Sequence, residues 1–98
     1  EEVLGFDSED PVALFGLGVA QAKLGQLQEA AVTLEKAIEV QPTNGAVYME
    51  LGHVFERLER DHEAMRVYRK GADVASRKGD LQPLKAMEHR LFLLGAKS

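Results

Sequence analysis

Apolar residues recur along this chain at three- and four-residue spacing rather than alternating, which is the pattern of amphipathic helices. Leu14, Leu17 and Leu24, with the small residues Gly18 and Ala22 between them, share one face of a segment from about Pro11 to Leu24. Proline suits the first helical position, where its missing N–H would have had no partner, and Asp10 before it is a good cap. Lys23-Leu24-Gly25 then supplies a basic last turn and a glycine stop. A second helix is predicted from about Leu27 to Val40, with Leu27, Ala30, Leu34, Ala37 and Ile38 inward, ended by Gln41-Pro42-Thr43-Asn44-Gly45. The plan recurs as about Ala46 to Leu58 and Asp61 to Ser76, with Asp61 as an N-cap. After Arg77-Lys78-Gly79-Asp80 a fifth helix carries Leu81, Leu84, Met87, Leu91 and Leu94 as an apolar stripe, and Pro83 falls in its first turn, where proline is tolerated. Of Phe92 and Leu93, which lie partly off that stripe, one is expected to be exposed or to touch a partner.

The recurrence has a period of 34 residues: Leu17 and Leu51, Gly18 and Gly52, Leu24 and Leu58, Glu29 and Glu63, Ala30 and Ala64, Lys36 and Lys70, and Val40 and Val74 are identical at that offset. Such a period marks stacked supersecondary units, each leaving an apolar face that only a neighbour can cover. Gly18 and Gly52 are expected to let two antiparallel helices approach closely, with Ala30 and Ala64 opposite them and Leu14, Tyr48, Leu34 and Tyr68 filling the wider gaps.

The series Tyr48-x-x-Leu51-Gly52-x-x-Phe55, followed by Ala64 and Tyr68, resembles the tetratricopeptide repeat, a helix-turn-helix family of this period. The first copy is looser, with Leu14 and Gln21 where aromatics are usual, and the second has Gly71 and Ser76 where Ala37 and Pro42 stand in the first. The resemblance implies an all-α fold, a right-handed superhelical stack of antiparallel helix pairs with about five helices. It divides the chain into a first repeat at 11–44, a second at 45–78, and a capping helix and tail at 79–98. Two repeats are fewer than the ~3 this architecture usually needs, so the tail helix is expected to cover an open face. In the lead-in segment, 1–10, Val3, Leu4 and Phe6 align at the same offset with Ala37, Ile38 and Val40. They read either as the end of a preceding repeat helix or as an unrelated amphipathic start.

The resemblance also implies a function: the first helices of successive repeats line a concave groove that holds a peptide or helical segment of another protein. Carried onto this chain, the groove residues are Val12, Phe15, Gly16, Val19, Ala22 and Lys23 from the first repeat. Ala46, Met49, Glu50, His53, Glu56 and Arg57 come from the second. Phe15 and Val19 stand off the Leu14/Leu17/Leu24 face, so the first helix is apolar nearly all round, and such a helix is normally covered on both sides. The cover is the capping helix, a second subunit or a ligand peptide. Some family members grip a terminal carboxylate with paired lysines and asparagines; Phe15, Val19 and Glu50 stand at the matching positions, so that clamp is absent. A non-catalytic module that binds an apolar or mixed protein segment is expected, the alternative being a homodimer through the same groove.

Composition narrows the alternatives. The chain of 98 residues has a net charge of −4, but residues 1–50 carry two bases against nine acids and residues 51–98 ten bases against seven acids. This asymmetry is either an uneven solvated surface or a field that steers an oppositely charged partner, including another copy. Nucleic acid is not expected, since Arg66, Arg69, Lys70, Arg77 and Lys78 lack interleaved aromatics and an overall positive charge. No membrane partner is expected either, because no apolar run approaches the ~20 residues that span a bilayer. The sequence has no cysteine, which excludes a disulfide framework and a thiolate site and fits a reducing, cytoplasmic setting. His53, His62 and His89 show no ligand spacing, Ser8, Ser76 and Ser98 lie at segment ends, and Gly16-Leu17-Gly18 lacks the third glycine of a phosphate cradle. No catalytic, metal or cofactor residue is expected, and the chain is not read as an enzyme.

Overall fold

Side-chain caps start two of the helices, and left-handed residues close three of them. The structure is a computed structural model that describes residues 10–97, and these residues form α1 (Pro11–Lys23), α2 (Leu27–Val40), α3 (Gly45–Arg57), α4 (Asp61–Lys78) and α5 (Leu81–Lys97). Asp10 caps α1, its Oδ1 accepting from the Val12 N–H at 2.9 Å. At the equivalent place Asn44 caps α3 and accepts from the Ala46 N–H at 3.1 Å. Asp61 is the first residue of α4 rather than its cap, which is Arg60. There its negative charge meets the positive end of the helix dipole. The reading of residues 1–9 as the end of an earlier helix lies outside the described residues.

The two tight turns are built alike. Gly25 N–H bonds Ala22 O and Gln26 N–H bonds Gln21 O; Glu59 N–H bonds Glu56 O and Arg60 N–H bonds Phe55 O. Both close a helix end by the crossed pattern that requires a left-handed residue. Glycine fills that position in the first turn, at φ 82°, whereas Glu59 holds it at φ 61° in the second.

Across each turn the paired helices touch through glycine. A Cβ on Gly18 would lie 2.6 Å from the Leu34 side chain, and one on Gly52 would fall within the Tyr68 ring. The partners facing the glycines are therefore Leu34 and Tyr68, not Ala30 and Ala64. The alanines are fully buried beside them, but the large side chains are what a missing Cβ accommodates. Gly71, a departure from the first repeat, has the same reason: a Cβ there would meet Tyr48 and the Met87 sulfur, the latter at 2.6 Å.

The hairpins α1/α2 and α3/α4 stack through α2 on α3, and α5 packs on α4 and α3. The result is a slab of 45 × 29 × 17 Å. Its core is continuous from Leu14 and Leu34 through Leu51, Phe55 and Tyr68 to Met87 and Leu94. Leu17 and Leu24, expected on the inner face, are instead 41% and 74% exposed, while Leu51, the counterpart of Leu17, is 2% exposed. In repeat two that face is covered by repeat one; in repeat one no described element lies over it.

The second repeat also departs from the period. α4 has 18 residues against 14 in α2, and the turn to α5 is only Gly79 and Asp80, against residues 41–44 before α3. The next helix therefore starts two residues later than a 34-residue period predicts. At that shifted register Tyr48, Leu51, Phe55 and Leu58 correspond to Leu84, Met87, Leu91 and Leu94, the residues α5 turns inward. Leu81, at the start of the expected stripe, is exposed.

Candidate functional site

α1, α3 and α5 form one layer of the slab, with α3 in contact with both of the others. The twelve residues expected to line the groove sit on α1 and α3, where Ala22 is buried and Gly16 and Ala46 are exposed, and the surroundings of the other nine divide them. Phe15 and Met49 are partly buried against the core, Val19 and Glu50 are half-buried, and Val12, Lys23 and His53 are exposed. α5 does not reach α1, so the capping helix does not cover Phe15 and Val19.

Glu56 and Arg57 already have partners. Arg57 Nη1 donates to Ala22 O at 3.0 Å, tying the end of α3 to the end of α1. A cation there also meets the negative end of the α1 dipole. At the end of α4, Lys78 Nζ donates to Thr43 O of the turn before α3 at 2.8 Å.

Glu56 is the centre of a network joining three helices. The Tyr68 hydroxyl of α4 donates to Glu56 Oε2 at 2.6 Å, Arg90 Nε of α5 donates to the same oxygen at 3.0 Å, and Arg90 Nη2 pairs closely with Oε1. The fork geometry is the strong form of an arginine–carboxylate contact. Burial pushes the Glu56 carboxyl up, but the hydrogen bonds from Arg90 and Tyr68 and the charge of Arg90 outweigh it and hold it below the ordinary glutamate range. Burial, then the hydrogen bond into that carboxylate, drives the Tyr68 phenol far above its usual value, so Tyr68 remains a donor. The Glu56 contact likewise raises Arg90. His53 sets the edge of its ring on Tyr68, with centroids 6.0 Å apart and planes at 72°, a favourable aromatic geometry.

On the other side of α3, a cleft of about 330 Å³ opens between α2 and α4. Tyr48, Leu51 and Phe55 form its floor, Glu35 and Glu39 one wall, and Arg66 and Lys70 the other. Sequence reasoning named neither this cleft nor the Tyr68–Glu56–Arg90 network. No group of histidine, aspartate and glutamate side chains among the described residues could hold a metal ion, and no helix there is long and apolar enough to cross a membrane.

Stacked helical hairpins with a glycine at each crossing and a polar network bridging successive layers define the class, an α-helical repeat solenoid. Two family profiles, both described as tetratricopeptide repeat, match residues 11–44 and 45–80, and the chain belongs to that family. The second match ends two residues beyond the expected 78, in keeping with the longer α4. A tetratricopeptide repeat domain protein of Salinibacter ruber shares the fold throughout. Its NMR structure superposes with a TM-score of 0.86 at 26% identity over 95% of this chain and 94% of that one. Its crystal structure gives 0.84 at 25% identity over 91% and 99%. The Arabidopsis thaliana protein CTR9 homolog is 36% identical over 63 residues, 64% of this chain but 6% of that much longer protein. The chain is thus a tetratricopeptide protein-interaction module.

Proposed function

We propose that the module binds a segment of a partner protein on the face of α1 and α3 that carries Val12, Phe15, Val19, Lys23, Met49, Glu50 and His53. The observation behind this reading is that the apolar side chains there are left partly open, because α5 packs on α3 and α4 and leaves α1 free. Phe15 and Met49 would be the anchors, with methionine adapting to irregular shapes. Lys23, Glu50 and His53 are the polar rim, so an apolar or mixed segment fits best. Glu56 and Arg57 support the surface from within. This chain spans only 6% of the CTR9 homolog, so nothing of that longer protein's own activity is carried over to this domain. A cytoplasmic setting is proposed on the cysteine-free sequence alone.

The test compares what the wild-type chain retains from a lysate with what a Phe15→Glu, Met49→Glu double variant retains. A Val32→Glu variant, altered at an exposed position of α2, serves as control. A protein held by wild type and control but lost from the double variant, with circular dichroism unchanged, supports the groove. Equal capture by all three refutes it. If light scattering instead gives a dimer that dissociates on Phe15→Glu, the same apolar face serves self-assembly.

A further inference from the structure

α3 lies against α4 on one side and α2 on the other, whereas α5 packs on α4 and α3 and, among the described residues, meets no further helix on the side that corresponds to the α3 face against α4. Its inner side meets α3 and α4 through Met87 and Leu94, which are buried, with Leu84 and Leu91 partly so. The position of α5 that corresponds to Gly52, where α3 lies against its partner helix, is Glu88. Glycine is not needed there, because no described helix crosses.

Along that unpartnered line run Leu81, Lys85, Glu88 and Phe92. At about 100° per residue the four fall within roughly 60° of arc, a single narrow stripe. All four are exposed, Leu81 at 60% and Phe92 at 72%. Neither Lys85 nor Glu88 forms an ion pair with another described residue. Lysine preceding glutamate on a helix is the less favourable order for an internal pair, so both charges are available for an external one.

The order of the stripe is apolar, base, acid, apolar. Read backwards it is apolar, acid, base, apolar, which is its own complement. We propose that α5 pairs antiparallel with α5 of a second copy, so that Leu81 packs on the second copy's Phe92 and Lys85 meets the second copy's Glu88, each contact occurring twice. An interface in which residue i meets j and j meets i is what a two-fold dimer requires. The second copy's helix takes the place that α4 occupies beside α3. A single helix of 17 residues presents a face about 25 Å long. At about 10 Å across, that face amounts to roughly a few hundred Å² per copy, below the ~600–1,000 Å² per partner of stable interfaces, so the dimer is reversible and concentration-dependent.

The contact does not involve Phe15, which separates it from the groove proposed above. Sedimentation velocity on the 98-residue chain over a range of concentrations is expected to give a monomer–dimer equilibrium. Phe92→Glu should weaken it about tenfold or more, since a like or unpaired charge at a contact is strongly unfavourable. Lys85→Glu alone and Glu88→Lys alone should each do the same, because each sets like charges opposite one another. An equimolar mixture of the two should recover a heterodimer, in which every pair is again opposite in sign. The substituted positions are exposed, so circular dichroism should not change. A chain that stays monomeric at every concentration overturns the proposal and leaves the stripe to a different protein. A dimer that survives Phe92→Glu, or a mixture that stays monomeric, overturns it as well. Loss of the dimer on Phe15→Glu, with Phe92→Glu silent, places self-association in the groove instead.

Discussion

Glu59 holds a left-handed backbone, φ 61°, at the place where the first repeat has Gly25 at φ 82°. A side chain in that region costs roughly 1–2 kcal/mol, part of which glycine gives back through the freedom it has in the unfolded chain. Glu59→Gly is therefore expected to stabilise the protein by about 1 kcal/mol and raise the melting temperature by ~4–8 °C, as measured by calorimetry. An unchanged or lower melting temperature would mean that the Glu59 side chain contributes more than its backbone strain. The glycines inside helices divide in the same local way. A Cβ at Gly16 would meet nothing, whereas one at Gly52 would enter the Tyr68 ring. Alanine is the better helix former by ~0.5–1 kcal/mol, so Gly16→Ala should stabilise. Gly52→Ala should destabilise by about 1–3 kcal/mol, the usual range for overpacking. Denaturant midpoints of the same sign for both would refute the packing role of Gly52. Gln21, in the position Phe55 holds in repeat two, shows the opposite fault, its Oε1 buried with no hydrogen-bond partner among the described residues.

Between elements, the Tyr68–Glu56–Arg90 contact is what fixes α5 to the second hairpin by polar means. Hydrogen bonds to a charged group contribute about 1.5–3 kcal/mol each when removed singly; the Glu56 side chain is 17% exposed but Arg90 is 35% exposed, so solvent screening places the contribution near the lower end. Glu56→Gln is expected to lower stability by about that amount at neutral pH. The folded-state carboxyl lies below its ordinary value. Its contribution is thus fully present above about pH 4.3 and is lost as the pH falls through the depressed folded value. Urea titrations should show wild type and Glu56→Gln converging below that range; a gap that persists at pH 2 would assign the difference to packing instead. Nothing in apolar periodicity pointed to this contact: Glu56 was expected to face a partner in the groove, Tyr68 to fill the core, and Arg90 had no assigned place. Helix ends, by contrast, were legible to within a residue or two, because Asp10, Gly25, Asn44 and Gly79 act on their own neighbours.

At the scale of the molecule, the repeat and the all-helical stack could be read directly from Leu17-Gly18 and Leu51-Gly52. What could not be read was which apolar faces find a neighbour. Leu17 and Leu51 are the same residue in the same motif, yet one is open and the other covered, because periodicity records a face and not what lies over it. The groove residues were named from the resemblance, and the contacts that two of them, Glu56 and Arg57, make across helices were not legible, since that reach depends on the stacking itself. The longer α4 carries a consequence of a different kind. In a helix each residue turns the next by about 100°, so the length of one helix sets the phase of whatever follows. At an unbroken 34-residue spacing, Lys85 and His89 would stand where Leu51 and Phe55 stand, and α5 would offer charge to an apolar neighbour. The two added residues act as a phase shift that brings Met87 and Leu91 round to the core. A deletion of that length near Gly79 would leave the composition of α5 intact and its fit to the array undone.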